Sequence, residues 1–295
     1  MRRLAFLLLP LTLVTAPLAP VLAQGSDSIN ARPVPFFTYR DAVLLGIFAA
    51  GTLAMDPLDR HFASQLQDST TQNNRFLRQG STFFRLMGQP APQIIGLGLY
   101  GVGRLTHSKR LTRLAVDGSE AMLLSTLATT TIKVLAGRAR PVVDTTKALG
   151  FKFGRGLPHF LGGKGTLYQS FPSGHATTAF AVASASTAEF SRWVDQWHAS
   201  PAWKYGVGTV LYGGATLVGL SRMYNNAHWA SDVLAGAAIG TFAGIKTVRY
   251  NYRNPTNKLE RWLVAVQVVP AQGDSPSYLG VSLTPSLEPR PIVGH

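Results

Sequence analysis

Residues 221–232 read Ser-Arg-Met-Tyr-Asn-Asn-Ala-His-Trp-Ala-Ser-Asp and lie between two apolar segments that are rich in small residues. If a helix begins near Trp229, His228 and Asp232 lie one turn apart on the same face. The carboxylate can then hold one ring nitrogen of the imidazole and leave the other free to attack. Arg222, six residues before His228, can supply positive charge to the attacked group. Taken alone, the stretch fits equally well a His–Asp pair that starts a helix beside a solvated arginine.

Two earlier stretches carry residues suited to binding an anion. Residues 133–141 read Lys-Val-Leu-Ala-Gly-Arg-Ala-Arg-Pro, and residues 171–175 read Phe-Pro-Ser-Gly-His. Phosphoryl transfer spreads negative charge over three equatorial oxygens, so a phosphate site needs fixed positive charges around it. Lys133, Arg140 and Arg222 supply such charges, and each arginine fork can bind two oxygens at once.

The segment around Ser173 has the pattern of a helix N-terminus. Ser173 is a suitable N-cap, and its hydroxyl with the free backbone N–H groups of Gly174 and His175 suits a phosphate at the start of a helix. Gly174 has no Cβ, so the backbone can approach the phosphate closely. We therefore predict that Ser173 and Gly174 complete the phosphate-binding set.

In this order and at these separations, the three stretches resemble the signature of the type 2 phosphatidic acid phosphatase (PAP2) superfamily. That superfamily includes lipid phosphate phosphatases, bacterial nonspecific acid phosphatases and vanadium haloperoxidases. Every signature position is present, and the resemblance covers roughly residues 111–249. It implies an all-α fold, a helical bundle of about six core helices of the PAP2/haloperoxidase type.

The resemblance also implies a role for each catalytic residue. His228 is the nucleophile that forms a phosphohistidine intermediate, and Asp232 orients and charges it. His175 is the general acid for the leaving alkoxide and later the base that activates water, which agrees with the suitability of histidine for proton transfer near neutral pH.

No metal and no cofactor is expected, because the lysine and the arginines provide the electrostatic stabilisation. A metal site built from His175, His228 and Asp232 is the alternative, and three neighbouring cations oppose it. Arg138 is expected either behind the phosphate-binding residues, in solvent, or in contact with the phosphate.

Composition bounds the partners and the chemistry. The chain has 295 residues, 28 Lys and Arg against 14 Asp and Glu, a formal charge of +14, and no Cys. The charge favours anionic partners, namely a phosphorylated lipid, a small phosphomonoester or an anionic membrane surface. No basic helix interleaved with aromatics is present, so nucleic acid is not expected as a partner. Without Cys there are no disulfides and no thiolate chemistry.

The chain divides into four predicted segments. Residues 1–23 have a basic start, an apolar stretch and a small-residue cleavage site, the pattern of a secretory signal peptide, with an uncleaved anchor as the alternative. Residues 24–38 are a linker and residues 39–250 the helical phosphatase domain. Residues 251–295 form a short C-terminal β-hairpin, from the alternation around 263–269 and 278–283, and a flexible tail. The signal pattern indicates export to a bacterial periplasm or cell envelope.

The apolar runs are short for a membrane span. Runs such as 42–55 and 233–245 are roughly 13 to 14 residues long, whereas a spanning helix needs about 20. This length favours buried core helices or re-entrant segments. The spacing of the motifs and the many small residues, however, resemble the bacterial membrane-associated phospholipid phosphatases more than the soluble acid phosphatases, and this resemblance implies membrane association. The loop at 142–170 is long enough to be functional or disordered.

The leading hypothesis is a metal-independent phosphatase acting on a lipid phosphate, such as phosphatidic acid or a polyprenyl (pyro)phosphate. A periplasmic nonspecific acid phosphatase on soluble phosphomonoesters is the first alternative. A vanadate-dependent haloperoxidase and a non-catalytic envelope protein are less favoured. Substrate identity and oligomeric state stay open at this stage.

Overall fold

A computed structural model of the chain describes residues 35–143, 148–157, 166–254, 266–270 and 279–283. The predicted signal peptide, most of the linker and the predicted flexible tail lie outside these residues. The first helix begins at Tyr39 and the last ends at Arg253.

The described residues are mainly helical and contain nine α-helices, more than the six or so predicted. In chain order these are α1 (Tyr39–Ala54), α2 (Asp56–Leu66), α3 (Ser69–Gln72), α4 (Arg75–Gly88), α5 (Ala91–Leu105), α6 (Lys109–Ala136), α7 (Gly174–Gln196), α8 (Ala202–Tyr224) and α9 (Ala230–Arg253). A single 3-10 turn, Thr166–Tyr168, precedes α7.

Helix caps explain the larger number of helices. The prediction of about six core helices did not divide the segment between residues 39 and 88, where four helices form. Asp68 accepts a hydrogen bond from the Thr70 backbone and starts α3, and Asn74 does the same with Leu77 and starts α4. Such caps satisfy backbone donors that a helix start leaves unpaired, so each one begins a new helix.

Two short strands follow the helices. Strand β1 (Val266–Pro270) pairs antiparallel with β2 (Leu279–Leu283), with Val268 opposite Val281. The residues that would connect them lie outside the described part of the chain, so the β-hairpin stays a prediction.

Helices α7 and α9 pack against each other along a seam of glycines. Gly236, Gly240 and Gly244 follow one face of α9 at intervals of four residues. A Cβ on Gly240 would lie 2.2 Å from the carbonyl oxygen of Thr177, and one on Gly236 would lie 2.5 Å from that of Ser173. The two backbones therefore touch where only glycine fits, and the N-termini of both helices are held at the same end of the bundle.

Charged residues that interrupt the apolar helices are paired inside the bundle. Asn251 of α9 donates to Asp117 and to Glu120 of α6, and Tyr252 donates to the buried Glu189 of α7. These contacts hold α6, α7 and α9 together at the end of the bundle opposite the N-termini of α7 and α9.

Within the described residues, no individual helix has the length and apolar character needed to cross a bilayer. The helix pair Tyr39–Thr52 and Pro57–Leu66, bent by 58°, meets that requirement jointly.

Candidate active site

Four helix ends meet at one end of the bundle. Lys133 lies in the last turn of α6 and Arg222 in the last turn of α8, while Ser173 caps α7 and Asp232 lies in the first turn of α9. The backbone N–H of Ser173 donates to the carbonyl of Asp232 at 2.9 Å and joins the two helix starts directly. Two positive helix ends thus face the same space as the cations.

His228 is oriented by a backbone carbonyl. Its Nδ1 lies 2.7 Å from the carbonyl oxygen of Ser170 and 3.6 Å from Oδ2 of Asp232. The first distance is that of a hydrogen bond and the second is too long for one, so we assign Nδ1–H as the donor to Ser170. In this tautomer Nε2 keeps its lone pair and is free to attack.

This arrangement differs from the predicted one, in which the Asp232 carboxylate holds the ring directly. The helix begins at Ala230 with Trp229 as its cap, so His228 precedes the helix. Asp232 turns its carboxylate to the backbone N–H of Trp229, at 2.8 Å, and therefore sits beside the imidazole rather than in hydrogen bond with it.

Asp232 is fully buried and held by several donors. Arg138 donates to its Oδ1 at 2.5 Å, and the Ser170 hydroxyl donates to its Oδ2. Burial alone raises the pKa of Asp232, but the charge of Arg138 and the bonds from its neighbours outweigh burial and hold that pKa at about 2. The carboxylate is therefore ionised beside His228 across the physiological range.

Both histidines are neutral in the unliganded protein. Burial, together with the charges of Lys133 and Arg140, lowers the pKa of His228 to about 3, although Asp232 opposes the change. Burial also lowers the pKa of His175 to about 3, and Arg222 is the largest of the cationic contributions. A neutral His228 is the form in which an imidazole is nucleophilic.

Lys133 reaches back over the segment before α7. Its ammonium donates to the carbonyls of Gln169, at 2.9 Å, and Pro172, at 2.6 Å. Burial lowers the pKa of Lys133 to about 7, and the neighbouring charge of Arg140 adds to this effect. The lysine therefore both braces the loop and contributes charge to the site.

The two arginines of the predicted phosphate-binding set, Arg140 and Arg222, are also largely buried. Arg140 donates to the carbonyl of Ala227 at 3.0 Å. Arg222 is 9% exposed, and its buried Nε has no hydrogen-bond partner. Burial lowers the pKa of Arg222 to about 10, with Arg140 and Arg85 as further causes. An unsatisfied buried guanidinium nitrogen indicates a place for an anion, because such a donor is costly to leave unpaired.

Ser173 and Gly174 take the places that the sequence predicts at the helix start. The Ser173 hydroxyl accepts a bond from the Ala176 backbone, at 3.5 Å, and the side chain is fully buried. A Cβ on Gly174 would meet no protein atom within 4 Å. The backbone of the first turn is therefore open on that side.

Four residues support the site without having been predicted to do so. Three of them were not named from the sequence, and the place of the fourth, Arg138, was left open. Arg138 is buried and pairs with the carboxylates of Asp59 and Asp232. Ser170 orients His228, and the charge of Arg85 acts on both His175 and Arg222. Arg138 could have been found from the sequence, because it lies in the same motif as Arg140. Ser170 could not, because it contacts His228 through its backbone carbonyl. Asp59 could not either, because it lies on α2, far from the motifs in the sequence.

The described residues contain no group of three or more His, Asp or Glu placed to hold a metal ion. His175, His228 and Asp232 thus do not form such a group.

Residues 116–255 match the model of the PAP2 superfamily. This match confirms the resemblance inferred from the three motifs.

Two characterised relatives are similar to the chain. It is 32% identical over 179 residues to a lipid A 1-phosphatase from Porphyromonas gingivalis, and 33% identical over 96 residues to an undecaprenyl-diphosphatase from Sulfolobus acidocaldarius. The matches cover 60% and 32% of this chain, but only 33% and 40% of those proteins. The chain thus spans less than half the length of either relative.

Two solved structures are also similar. The crystal structure of Aquifex aeolicus LpxE covers 64% of this chain and 93% of its own, with 20% identity and a TM-score of 0.44. A transmembrane PAP2-type phosphatidylglycerolphosphate phosphatase from Bacillus subtilis covers 73% of this chain and 98% of its own, with 19% identity and a TM-score of 0.49.

Proposed function

We propose that the chain is a metal-independent phosphatase that hydrolyses a lipid phosphate through a phosphohistidine intermediate. The observation that carries this proposal is the state of His228. Its Nδ1 is occupied by the Ser170 carbonyl, its Nε2 is free, and the ring is neutral among Lys133, Arg140 and Arg222. A neutral nucleophile surrounded by cations suits attack on an anionic phosphorus centre.

In the first step, Nε2 of His228 attacks phosphorus and the bond between phosphorus and the leaving oxygen breaks. The ring then carries a positive charge, which the Asp232 carboxylate and the Ser170 carbonyl stabilise. His175 gives its proton to the leaving oxygen. Burial is the main cause of the low pKa of His175, and the neighbouring cations lower it further. Bound phosphate offsets the cations, so substrate binding raises this pKa towards the protonated form that the acid step requires.

In the second step, water attacks the phosphorus of the intermediate. The neutral His175 takes a proton from this water, and the bond between phosphorus and Nε2 breaks. Inorganic phosphate leaves, and His228 returns to its starting tautomer. Lys133, Arg140 and Arg222 neutralise the equatorial oxygens in both steps.

Exposed apolar surface supports a lipid substrate. Ile94 and Leu97 of α5 and Leu123 and Leu127 of α6 each expose more than half of their side chain. On each helix the two side chains lie one turn apart on the same face, and exposed apolar rows of this kind suit contact with a lipid surface. The formal charge of +14 additionally favours an anionic membrane surface, and export to the periplasm or envelope, suggested by residues 1–23, fits such a location.

An apolar groove provides room for the hydrocarbon chain of the substrate. It has a volume of about 710 Å³ and runs along α9 between Leu234 and Arg253, with α1 as its other wall. Leu234, at one end of the groove, lies two residues beyond Asp232 and therefore on another face of α9. Its volume lies within the range of ligand pockets, about 300–1,000 Å³. The names of the two relatives, a lipid A and an undecaprenyl phosphatase, agree with a lipid substrate.

Phosphate release tests the proposal. We would measure it in EDTA from detergent-dispersed phosphatidic acid, a polyprenyl pyrophosphate and a soluble aryl phosphate, with the full chain and with His228→Ala. We expect faster turnover of a lipid, loss of turnover in His228→Ala, and no change in His61→Ala, which alters an exposed histidine of α2. Turnover that survives His228→Ala would rule out this site, and equal or faster turnover of the aryl phosphate would assign soluble phosphomonoesters instead.

A further inference from the structure

Asp59 connects the N-terminal helices to the catalytic end of the bundle. It lies on α2 and is 1% exposed, although it is a carboxylate. It precedes residue 116, where the superfamily match begins. Its contacts are with Ser231 and Arg138, both next to the catalytic groups in the fold.

Asp59 acts as a cap for α9 from another helix. Its Oδ1 accepts the backbone N–H of Ser231 at 2.7 Å, and its Oδ2 accepts the Ser231 hydroxyl at 2.5 Å. The Ser231 N–H belongs to the first turn of α9, where backbone donors have no partner within the helix. Asp59 therefore fixes the turn that carries Asp232.

Asp59 also shares the guanidinium of Arg138 with Asp232. Nη2 of Arg138 donates to Asp59 at 2.8 Å, Nη1 donates to Asp232 at 2.5 Å and to Ser231 at 2.7 Å, and Nε donates to the Ala148 carbonyl at 2.9 Å. One buried cation is thus balanced by two carboxylates. Without the charge of Asp59, Asp232 would be the only one of these two carboxylates left to neutralise Arg138, and the pull of Arg138 on Asp232 would be stronger.

We infer that Asp59 is a positioning residue for the proposed reaction: it holds the first turn of α9 and takes part of the charge of Arg138. The Asp232 carboxylate consequently keeps the place and the negative charge with which it stabilises the cationic phosphohistidine ring. This inference rests on the proposed function and extends the site to α2, outside the matched region.

The test compares Asp59→Asn with Glu189→Gln in the full chain. Glu189 of α7 is also a buried acid that contacts α9, where it accepts a hydrogen bond from Tyr252 at 3.1 Å, but at the end of the bundle away from the site. Both variants remove a buried carboxylate, so both are expected to lower Tm. Only Asp59→Asn is expected to lower kcat, by about 10- to 100-fold with KM within twofold, because misplacement of a catalytic group affects the chemical step.

Ser231→Ala provides a smaller change in case Asp59→Asn does not fold. It removes the hydroxyl that contacts Asp59 and Arg138 and retains the backbone N–H. We expect kcat to fall to a value between those of the unaltered chain and Asp59→Asn. A kcat within twofold of the unaltered chain in both Asp59→Asn and Ser231→Ala, or an equal loss of kcat in Glu189→Gln, would overturn the inference. Absence of phosphate release from the unaltered chain would instead overturn the proposed function, and the inference with it.

Discussion

Among single residues, His228 shows that a backbone contact can orient a side chain that the sequence predicts as functional. The sequence predicted the nucleophile and its acidic neighbour, because histidine and aspartate are recognisable residue types at a recognisable spacing. It did not predict that the Ser170 carbonyl, at 2.7 Å, orients the ring. Every residue has a carbonyl, so no residue type signals this contact.

The role of His175 can be tested by the choice of leaving group. We predict that His175→Gln lowers kcat on an alkyl phosphate by roughly 10²- to 10⁴-fold, the usual contribution of general acid–base catalysis. On p-nitrophenyl phosphate the loss should be much smaller, because nitrophenolate leaves without a proton. The measurement is kcat on both substrates, with His61→Gln as the control. Equal losses on the two substrates would remove His175 from the role of general acid.

At the scale of elements, the glycine seam between α7 and α9 sets the geometry of the site. The sequence shows apolar segments rich in small residues on both sides of residues 221–232. It did not predict that the glycines of α9 pack against α7, since small residues occur on several helices. The same limit explains the missed helices between residues 39 and 88, where the caps Asp68 and Asn74 lie among many other polar residues.

Gly240 is the most constrained position of the seam. We predict that Gly240→Ala destabilises the fold by about 1–3 kcal/mol, because the new Cβ would lie 2.2 Å from the Thr177 carbonyl and force the helices apart. It should also lower kcat, since the separation moves Ser173 away from Asp232. Urea unfolding and kcat measure the two effects.

Gly213 of α8 offers the matched control. A Cβ there meets nothing within 4 Å. Gly213→Ala should therefore stabilise the chain by roughly 0.5–1 kcal/mol through helix propensity. If both alanine variants had the same stability, the seam would not constrain the packing.

The groove along α9 makes a separate prediction. Ala238 lines it, so Ala238→Phe should narrow it and raise KM for a long-chain lipid phosphate, while KM for an aryl phosphate stays unchanged. The control is Ala128→Phe, at an exposed position of α6. An equal change in KM for both substrates would show that the groove does not hold the hydrocarbon chain.

For the whole molecule, the burial of two histidines beside a cluster of cations makes stability depend on pH. His175 and His228 have a pKa of about 3 in the folded chain, against about 6.5 when unfolded. Between these values the unfolded chain binds more protons, so stability rises with pH through this window and falls on acidification. Asp232, with a pKa of about 2, adds a further loss below its unfolded value of 3.8.

We therefore predict that Tm falls as pH is lowered from 6.5 towards 3. Each histidine contributes a slope of up to ~1.4 kcal/mol per pH unit. His175→Gln should flatten the curve, because glutamine does not titrate. Thermal melts across this range measure the effect, and identical curves for the two proteins would contradict it.

The net charge of the sequence indicated an anionic partner but not where the charges gather. Lys133, Arg140 and Arg222 come together because helix ends from distant parts of the chain meet at one end of the bundle. Asp59 reaches Ser231 across 172 positions, and an acid on a polar helix carries no sign of that contact. The motifs thus predicted the residues that the fold gathers at this end of the bundle, and only the fold shows the residues that support them.

The unpartnered Nε of Arg222 has a consequence for the rate at which such an enzyme works. Inorganic phosphate, a product of the proposed reaction, presents the same oxygens that this guanidinium would bind in the substrate. We therefore expect free phosphate to compete with the substrate and to slow hydrolysis as it accumulates.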